Sequence, residues 1–357
     1  MIEGILEKIF IKKITRERIE SHIDKLPTFN APPYDNLNRI KISAVQREIH
    51  PLGSIEGYID MLYSFIKNAV EEGSQLVIFP EYNFFDLFGL IPGFSLLNNF
   101  LNDKAQKNIN KHNEGGDSSS LAPLFKAIAP SIERGVSIIF SLLAKKANIY
   151  IYSGSFLFTN EKGLYNAGSL YGPSGEFIGT QGKLHLTDFE EQIGLTRERN
   201  LAVFDLKIGR LALPICMDAT YFETFYRARE LDADLVILPI ANMEEYNKWR
   251  ALRGIWPRIQ ESFLYGAKAS LNGWIAGMHF TGRAGVFAPL SLTPNKDGIL
   301  AISSHYEGNE FITTTIDYDK LKNERLNAQY FGDINTDFEK NFINKTYYNG
   351  GKRNEKK

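Results

Sequence analysis

The chain has 357 residues, of which 43% are hydrophobic and 23% are charged. These values are typical of a folded globular protein and exclude the charged, weakly hydrophobic composition of disordered chains. The 41 basic and 42 acidic residues leave a net charge of −1, so no global field favours a nucleic acid or an anionic membrane as partner. The length allows two domains of about 150 residues or one larger α/β domain.

Cys216 is the only cysteine, which excludes an intramolecular disulfide and a cysteine-cluster metal site. A single cysteine and an N-terminus without an apolar signal segment favour a cytoplasmic protein. The stretch most similar to a membrane span is 84–101, but Asp86 and Pro92 interrupt it. We therefore expect this stretch to be buried or to cover a pocket.

Residues 1–38 are predicted to form an N-terminal extension, with a charged helical stretch at 17–25 and several prolines behind it. The first strong strand pattern is 40–45, and apolar residues at helical spacing then predict a helix over 54–70. The continuous apolar run at 75–79 is typical of a strand covered on both faces. The body of the protein therefore opens as a β-α-β unit.

A long insertion at about 84–147 follows this opening. It is apolar at first, polar and rich in glycine and serine over 113–120, and helical again over 121–146. A connection of this length is usually functional or disordered. The sequence leaves open whether it is a lid or a contact between subunits.

Strand patterns recur through the rest of the chain and alternate with helical patterns. Predicted strands lie at 148–156, 164–170, 176–180, 211–215, 235–239, 275–278, 287–292, 299–303 and 311–316, and predicted helices at 221–230, 257–269 and 318–326. This alternation predicts mixed α/β layers with the helices outside. One domain is expected over 39–326, followed by a polar C-terminal tail at 327–357.

Three ionisable residues follow apolar strands, where α/β sheets collect their reactive groups: Glu81, Lys183 and Cys216. Each alone is more simply explained as a solvated loop residue, a surface lysine or an inert core thiol. Together they fit an acyl-transfer site without a metal. A cysteine nucleophile needs a base, a partly buried glutamate can be that base, and a lysine can stabilise an oxyanion.

The three segments, in this order, resemble those of the nitrilase or carbon-nitrogen hydrolase superfamily. Phe-Pro-Glu-Tyr around Glu81, Gly-Lys-Leu-His-Leu around Lys183 and Ile-Cys-Met-Asp around Cys216 carry the resemblance, which covers about 39–320. It implies an α/β fold, a four-layer αββα sandwich of two mixed β-sheets with helices on the outer faces. It also implies a second catalytic glutamate after the lysine, for which Glu191 is the predicted residue and Glu190 the competing one.

The resemblance further implies that Glu81 takes the proton of Cys216, whose sulfur attacks a carbonyl carbon. Lys183 and the backbone N–H of Met217 would stabilise the oxyanion, and Tyr82 and Met217 are predicted to contact the substrate. Cys-Met-Asp is more similar to the amidase and carbamoylase branches than to the nitrilase branch.

We therefore expect a hydrolase of non-peptide C–N bonds in small amides or N-carbamoyl compounds, without a cofactor or metal. The alternatives are nitrile hydrolysis, acyl transfer to an amine by the same triad, and an inactive binding scaffold. A papain-like Cys-His enzyme fits less well because none of the six histidines falls in a dyad pattern. By resemblance only, a homodimer or larger homo-oligomer is expected.

Overall fold

The strands of the protein follow one hydrogen-bonded path that bends back on itself, as seen in the computed structural model, which describes residues 2–107, 122–328, 335–338 and 340–341. In chain order the strands are β1 Arg39–Glu48, β2 Leu76–Ile78, β3 Tyr150–Asn160, β4 Gly163–Tyr171, β5 Phe177–Gly182, β6 Val203–Leu206, β7 Gly209–Ala212, β8 Leu235–Ala241, β9 Tyr265–Ile275, β10 Met278–Phe280, β11 Gly285–Phe287, β12 Ile299–Ile302 and β13 Glu310–Asp317.

The helices connect and cover these strands. They are α1 Ile2–Lys13, α2 Arg16–Lys25, α3 Ile55–Glu71, α4 Phe94–Lys107, α5 Ala122–Ala147, α6 Asp188–Gln192, α7 Phe222–Glu230, α8 Lys248–Leu252, α9 Ile255–Ser262, α10 Tyr318–Asn327 and α11 Thr336–Phe338, with short 3-10 helices at Phe85–Leu90, Cys216–Thr220 and Leu290–Leu292.

Strand β1 is the point at which the path turns from one half of the molecule to the other. Most of β1 pairs with β13 on one side, and its centre pairs in parallel with β2 on the other. Its last residues, 46–48, pair in parallel with β9. One half therefore runs β5-β4-β3-β2-β1, and the other runs β9-β8-β7-β6 with β11 beside β9.

Three apolar clusters show that these halves are layers of a sandwich. The first lies between α3, α5 and the half that contains β2 and β3. The second lies between the two halves, and the third lies under α7 and α9. This order confirms the predicted four-layer αββα sandwich, with its two sheets joined through β1.

Helix α3 illustrates how the sequence pattern becomes packing. Its N-cap Ser54 accepts a hydrogen bond from the N–H of Gly57. Tyr58, Ile59 and Leu62 recur at helical spacing and are fully buried, which contributes roughly 1.5–3 kcal/mol for each large apolar side chain. The helix predicted over 54–70 is confirmed.

Helices α1 and α2 lie against α5, although the sequence suggested a separate extension. Phe10, Ile14, Ile19 and Ile23 are buried in the same apolar cluster as α5. A Cβ atom at Gly135 of α5 would lie 2.3 Å from Cγ2 of Ile14, so glycine permits this close contact. The first two helices are thus packed into the sandwich, while the division of the chain into domains stays a prediction.

The predicted elements around β9 need correction. The helix expected over 257–269 ends at Ser262, and β9 begins three residues later. The strand expected at 275–278 is instead a tight turn between β9 and β10, in which Ala276 and Gly277 both have positive φ. The strand expected at 287–292 stops at Phe287. A strand buried on both faces lacks the alternation that separates strand from helix in a sequence.

The first part of the insertion is packed in the core, since Phe84, Phe85 and Phe88 are buried. The expectation of burial over 84–101 is wrong for its second part, because Leu96, Leu97 and Phe100 of α4 are exposed. The polar stretch at 113–120 lies outside the described residues. Within the described part of the chain, α5 is the helix with the length and apolar composition of a membrane span. Its buried face packs on β3 in this structure.

Candidate active site

Glu81 lies just beyond β2 and is 1% exposed. Its Oε1 accepts from Lys183 Nζ at 2.7 Å, and its Oε2 accepts from the N–H of Ala241 at 2.8 Å. The preceding Pro80 carbonyl touches Gly154, where a Cβ atom would lie 1.9 Å from that oxygen at a φ of +68°. Only glycine fits there, and the close approach fixes the path of the chain into Glu81.

Lys183 joins two carboxylates at the end of β5. Its buried Nζ donates to Oε1 of Glu81 and, at 2.9 Å, to Oε1 of Glu190. Burial alone would lower the pKa of Lys183, but the two carboxylates raise it above its ordinary value. Lys183 is therefore an ammonium ion throughout the physiological pH range.

Cys216 lies four residues beyond the end of β7 and begins a 3-10 helix. Its backbone is strained, with a φ of +45°. The residue is partly exposed, and its thiol lies near the Glu81 carboxylate and the Ala241 N–H that binds this carboxylate. Burial and the Glu81 carboxylate raise the pKa of the Cys216 thiol well above its usual value. The sulfur thus rests as a thiol, and its proton must pass to a base before attack.

The structure places Glu81, Lys183 and Cys216 close together, and Asp218 holds two of their loops in register. Buried Asp218 accepts from the N–H of Ile215 at 2.8 Å and from the N–H of His185 at 2.7 Å. One carboxylate therefore ties the lysine loop to the cysteine loop. Sequence reasoning noted this aspartate only as part of a motif and gave it no role.

The second carboxylate that contacts Lys183 belongs to Glu190. The structure therefore places Glu190 at the site, and not Glu191 as predicted. Thr187 caps α6, and its N–H and hydroxyl donate to Oε2 of Glu190 at 2.9 and 3.0 Å. This capping box turns Glu190 inward. Glu191, one residue on, is 48% exposed and pairs with Arg197 at the surface.

Tyr82 and Asn166 complete the buried network around Glu190. The Tyr82 hydroxyl donates to Oε1 of Glu190 at 2.5 Å, and Asn166 Nδ2 donates to Glu81 at 2.9 Å and to Glu190 at 2.8 Å. Tyr82 is thus held by a carboxylate, and its predicted contact with substrate stays a prediction. Met217 is partly exposed directly after Cys216. Asn166 lies in β4 among apolar residues, and sequence reasoning missed it.

A second buried ion pair supports the loop that follows Glu81. The guanidinium of Arg47 donates to the side-chain oxygen of Asn83 at 2.6 Å, to the Asn83 carbonyl at 2.8 Å and to Asp86. Arg47 and Asp86 are each 1% exposed. These contacts fix the turn in which Tyr82 adopts a φ of +50°.

Replacement of Glu190 by glutamine is expected to lower activity far more than the same replacement at Glu191, because only Glu190 is buried beside Lys183. Glu190→Gln removes half of the negative charge that holds Lys183, so kcat/KM should fall by about 10²-fold. Glu191→Gln loses only a surface ion pair, and a change of less than about twofold is expected. Steady-state kinetics on both purified variants checks this, and an equal loss in both would contradict the placement.

The acid limb of the pH profile is expected to report Glu81. Burial and the neighbouring Glu190 charge raise the pKa of Glu81 above its usual value, although Lys183 opposes the shift. As the pH falls through that raised pKa, Glu81 becomes protonated and can no longer accept the Cys216 proton. We therefore expect kcat/KM to decline at a pH above the range of an ordinary glutamate, and the limb to move to lower pH in Glu190→Gln. An acid limb at the same pH in Glu190→Gln and in the parent would contradict the electrostatic interaction between Glu81 and Glu190.

Comparisons with known proteins identify the family and agree with the fold. The sequence model of the carbon-nitrogen hydrolase family matches residues 41–257. A nitrilase of Pyrococcus abyssi is 26% identical over 81% of this chain and 94% of its own length. A probable hydrolase of Bacillus subtilis, YhcX, is 24% identical over 86% of this chain, which spans only 56% of that relative.

Two solved structures share the fold. The carbon-nitrogen hydrolase of Helicobacter pylori G27 has a TM-score of 0.64 at 19% identity, covering 84% of this chain and 97% of that one. A mutant of the amidase from Nesterenkonia sp. AN1, showing covalent addition of the acetamide moiety of fluoroacetamide at its active site cysteine, has a TM-score of 0.62 at 18% identity. It covers 88% of this chain and 99% of that one.

The family match spans more than half of the chain, so the class of protein is clear. The chain belongs to the carbon-nitrogen hydrolase family, as its three motifs predicted.

Proposed function

We propose that the protein hydrolyses a non-peptide C–N bond of a small amide or N-carbamoyl compound through a thioester on Cys216. The observation that carries this proposal is the buried Glu81, which accepts a hydrogen bond from the Lys183 ammonium and lies near the Cys216 thiol. A weakly acidic thiol beside a carboxylate that burial has made more basic is suited to proton transfer during attack.

The first half-reaction forms the thioester and releases an amine. Glu81 accepts the thiol proton as the sulfur of Cys216 bonds to the carbonyl carbon and the carbonyl π electrons move to oxygen. Lys183 and the N–H of Met217 stabilise that oxyanion, and one such donor typically contributes about 10²- to 10³-fold in rate. The oxyanion then re-forms the carbonyl, the C–N bond breaks, and Glu81 returns its proton to the leaving nitrogen.

The second half-reaction releases the acid. Glu81 takes a proton from water, the hydroxide oxygen attacks the thioester carbon, and the C–S bond breaks as the sulfur takes back the proton. Glu190 and Asn166 keep Lys183 and Glu81 aligned through both halves. We assign the second glutamate role of the family to Glu190 by its position.

Intact-protein mass spectrometry tests the proposal directly. The purified chain is mixed with a panel of amides, N-carbamoyl amines and nitriles, quenched in acid and weighed, while ammonia release is measured in parallel. We expect turnover of at least one amide or carbamoyl compound and a mass increment equal to its acyl group. Cys216→Ala, the matched control, should show neither.

The same panel separates the competing functions. Turnover of nitriles alone, or product that appears only when an amine acceptor is added, would replace the proposal with nitrile hydrolysis or acyl transfer. No increment and no turnover with any compound would favour a binding scaffold.

A further inference from the structure

Lys268 is a second buried lysine that the chemistry above does not use. It lies in the middle of β9 and is 3% exposed. Its Nζ makes one hydrogen bond, a long one of 3.3 Å to the carbonyl of Ala251, and lies 5.7 Å from the centre of the Phe287 ring. An ammonium group has three donors, and buried charges in proteins are normally paired. Among the described residues no carboxylate forms an ion pair with Lys268.

The position of Lys268 connects it to the nucleophile. It pairs with Leu238 of β8 and with Gly285 of β11, on the face of β9 opposite to Ala267 and Ala269, which pack between the sheets. This face is covered by the segment that carries α8. Burial and the charge of Arg283 lower the pKa of Lys268 to about 8, while its electrostatic interaction with Cys216 opposes that shift. Strand β8 continues from Leu238, opposite Lys268, to Ala241, whose N–H donates to the Glu81 carboxylate. Lys268 therefore lies on the strand next to the one that contacts the site.

The second basic group near Lys268 is Arg283, which leaves the region positive. Arg283 is half-buried, and its Nε donates to the carbonyl of Ser303 at 2.5 Å. No acidic partner of Arg283 occurs in the part of the chain that the structure describes. On the same face of β9, the buried hydroxyl of Ser270 has no hydrogen-bond partner. Lys183 differs sharply, because it lies between two carboxylates.

We propose that Lys268 binds an anionic group of the substrate, so that the preferred amides or carbamoyl compounds carry a carboxylate at the end remote from the scissile bond. This inference rests on the proposed function of Cys216. A carboxylate bound there would supply the missing counter-charge and accept the unused ammonium donors. A neutral substrate of equal size would leave that buried charge unpaired, which gives specificity as well as affinity.

Matched substrate pairs provide the test. The monoamides of succinic, glutaric and adipic acid are compared with the neutral alkyl amides of the same chain length, in the unmodified enzyme and in Lys268→Met. We expect the unmodified enzyme to prefer at least one anionic amide, and Lys268→Met to lose about 10- to 100-fold in kcat/KM for it, mostly through KM. The neutral amides should change by much less. Lys268→Arg, which keeps the charge, should retain part of the preference.

Lys248→Met is the control for a simple change of surface charge. Lys248 lies in α8, three residues from Ala251, and is exposed. Its loss should leave the preference for anionic amides unchanged. An equal loss with anionic and neutral amides in Lys268→Met would mean that Lys268 only holds the Ala251 carbonyl, and would overturn the proposal.

Alkylation of Cys216 tests the same charge without any assumption about turnover. Rates with anionic iodoacetate and neutral iodoacetamide are measured by intact mass and divided by those of a free small thiol. A cation near the sulfur raises the rate with iodoacetate relative to the rate with iodoacetamide. Lys268→Met should lower this iodoacetate-to-iodoacetamide ratio severalfold. If no amide is turned over but the ratio falls, the proposed function fails while the anion site stands. If the ratio is unchanged in a folded Lys268→Met, or is low in the unmodified chain, the anion site fails.

Discussion

Replacing Cys216 by serine is expected to lower kcat by about 10³-fold or more, because removal of a nucleophile is among the largest single losses in an enzyme. The thiol of Cys216 already has a raised pKa, and Glu81 must take its proton during attack. An alcohol is far less acidic than a thiol, so the same carboxylate is a much weaker base toward serine. Steady-state turnover of the best amide from the panel measures the loss.

Cys216→Ala and the unfolding transition serve as controls for this result. Both variants should unfold within about 1 kcal/mol of the parent chain, since they remove a single partly accessible sulfur. Cys216→Ser should leave KM nearly unchanged if the sulfur acts in the chemical step alone. A fully active serine variant would exclude nucleophilic attack by sulfur, whatever the fold.

The three residues at the ends of strands could be predicted because their positions follow from chain topology. A strand covered on both faces reads as an apolar run, and the residue after it lies at the edge of the sheet where sites form. Glu81 and Cys216 both obey this rule, whereas Lys183 follows β5, a partly exposed strand that is not an apolar run. Family resemblance then supplied their roles.

The choice between Glu190 and Glu191 shows where this reasoning fails. Adjacent residues of a helix point about 100° apart, so an error of one residue moves a side chain from the interior to the solvent. The deciding contact is local, because Thr187 caps α6 and draws Glu190 inward. The threonine three residues before a glutamate was a visible signal, and the capping-box pattern would have favoured Glu190.

Asn166 and Lys268 could not be found in the same way. Each is one polar residue within a strand, and its importance comes from which strands neighbour it. Asn166 reaches Glu81 and Glu190 because β4 pairs beside β5. Lys268 pairs with β8, the strand whose last residue, Ala241, binds Glu81. The sequence also predicted a helix where β9 begins. The strand face that carries Lys268 could therefore not be recognised from the sequence.

The buried charges of the site form a small cluster that is stable only as a whole. Two carboxylates, Glu81 and Glu190, share one ammonium, Lys183. Burial penalises every one of these charges, and their mutual attraction offsets that penalty only while all partners are present. Removing the common partner should therefore have a larger effect than removing either carboxylate.

Lys183→Met is accordingly expected to abolish measurable turnover and to lower the free energy of unfolding by about 3–5 kcal/mol. Without the ammonium, burial and mutual repulsion raise the pKa of Glu81 and Glu190 above their values in the unfolded chain. A group with a raised pKa in the folded state stabilises the fold at low pH and loses that contribution as the pH rises. The deficit relative to the parent should therefore be larger at mildly alkaline than at acidic pH.

Urea unfolding of both proteins at the two pH values measures this difference. Lys162→Met, which removes an exposed lysine from the hairpin between β3 and β4, should show almost no deficit at either pH. Adding Glu190→Gln to Lys183→Met should restore part of the stability, since only one buried carboxylate then lacks a counter-charge, but should not restore activity. A deficit that is independent of pH, or no recovery in the double variant, would mean that Lys183 stabilises the protein by packing and not by charge.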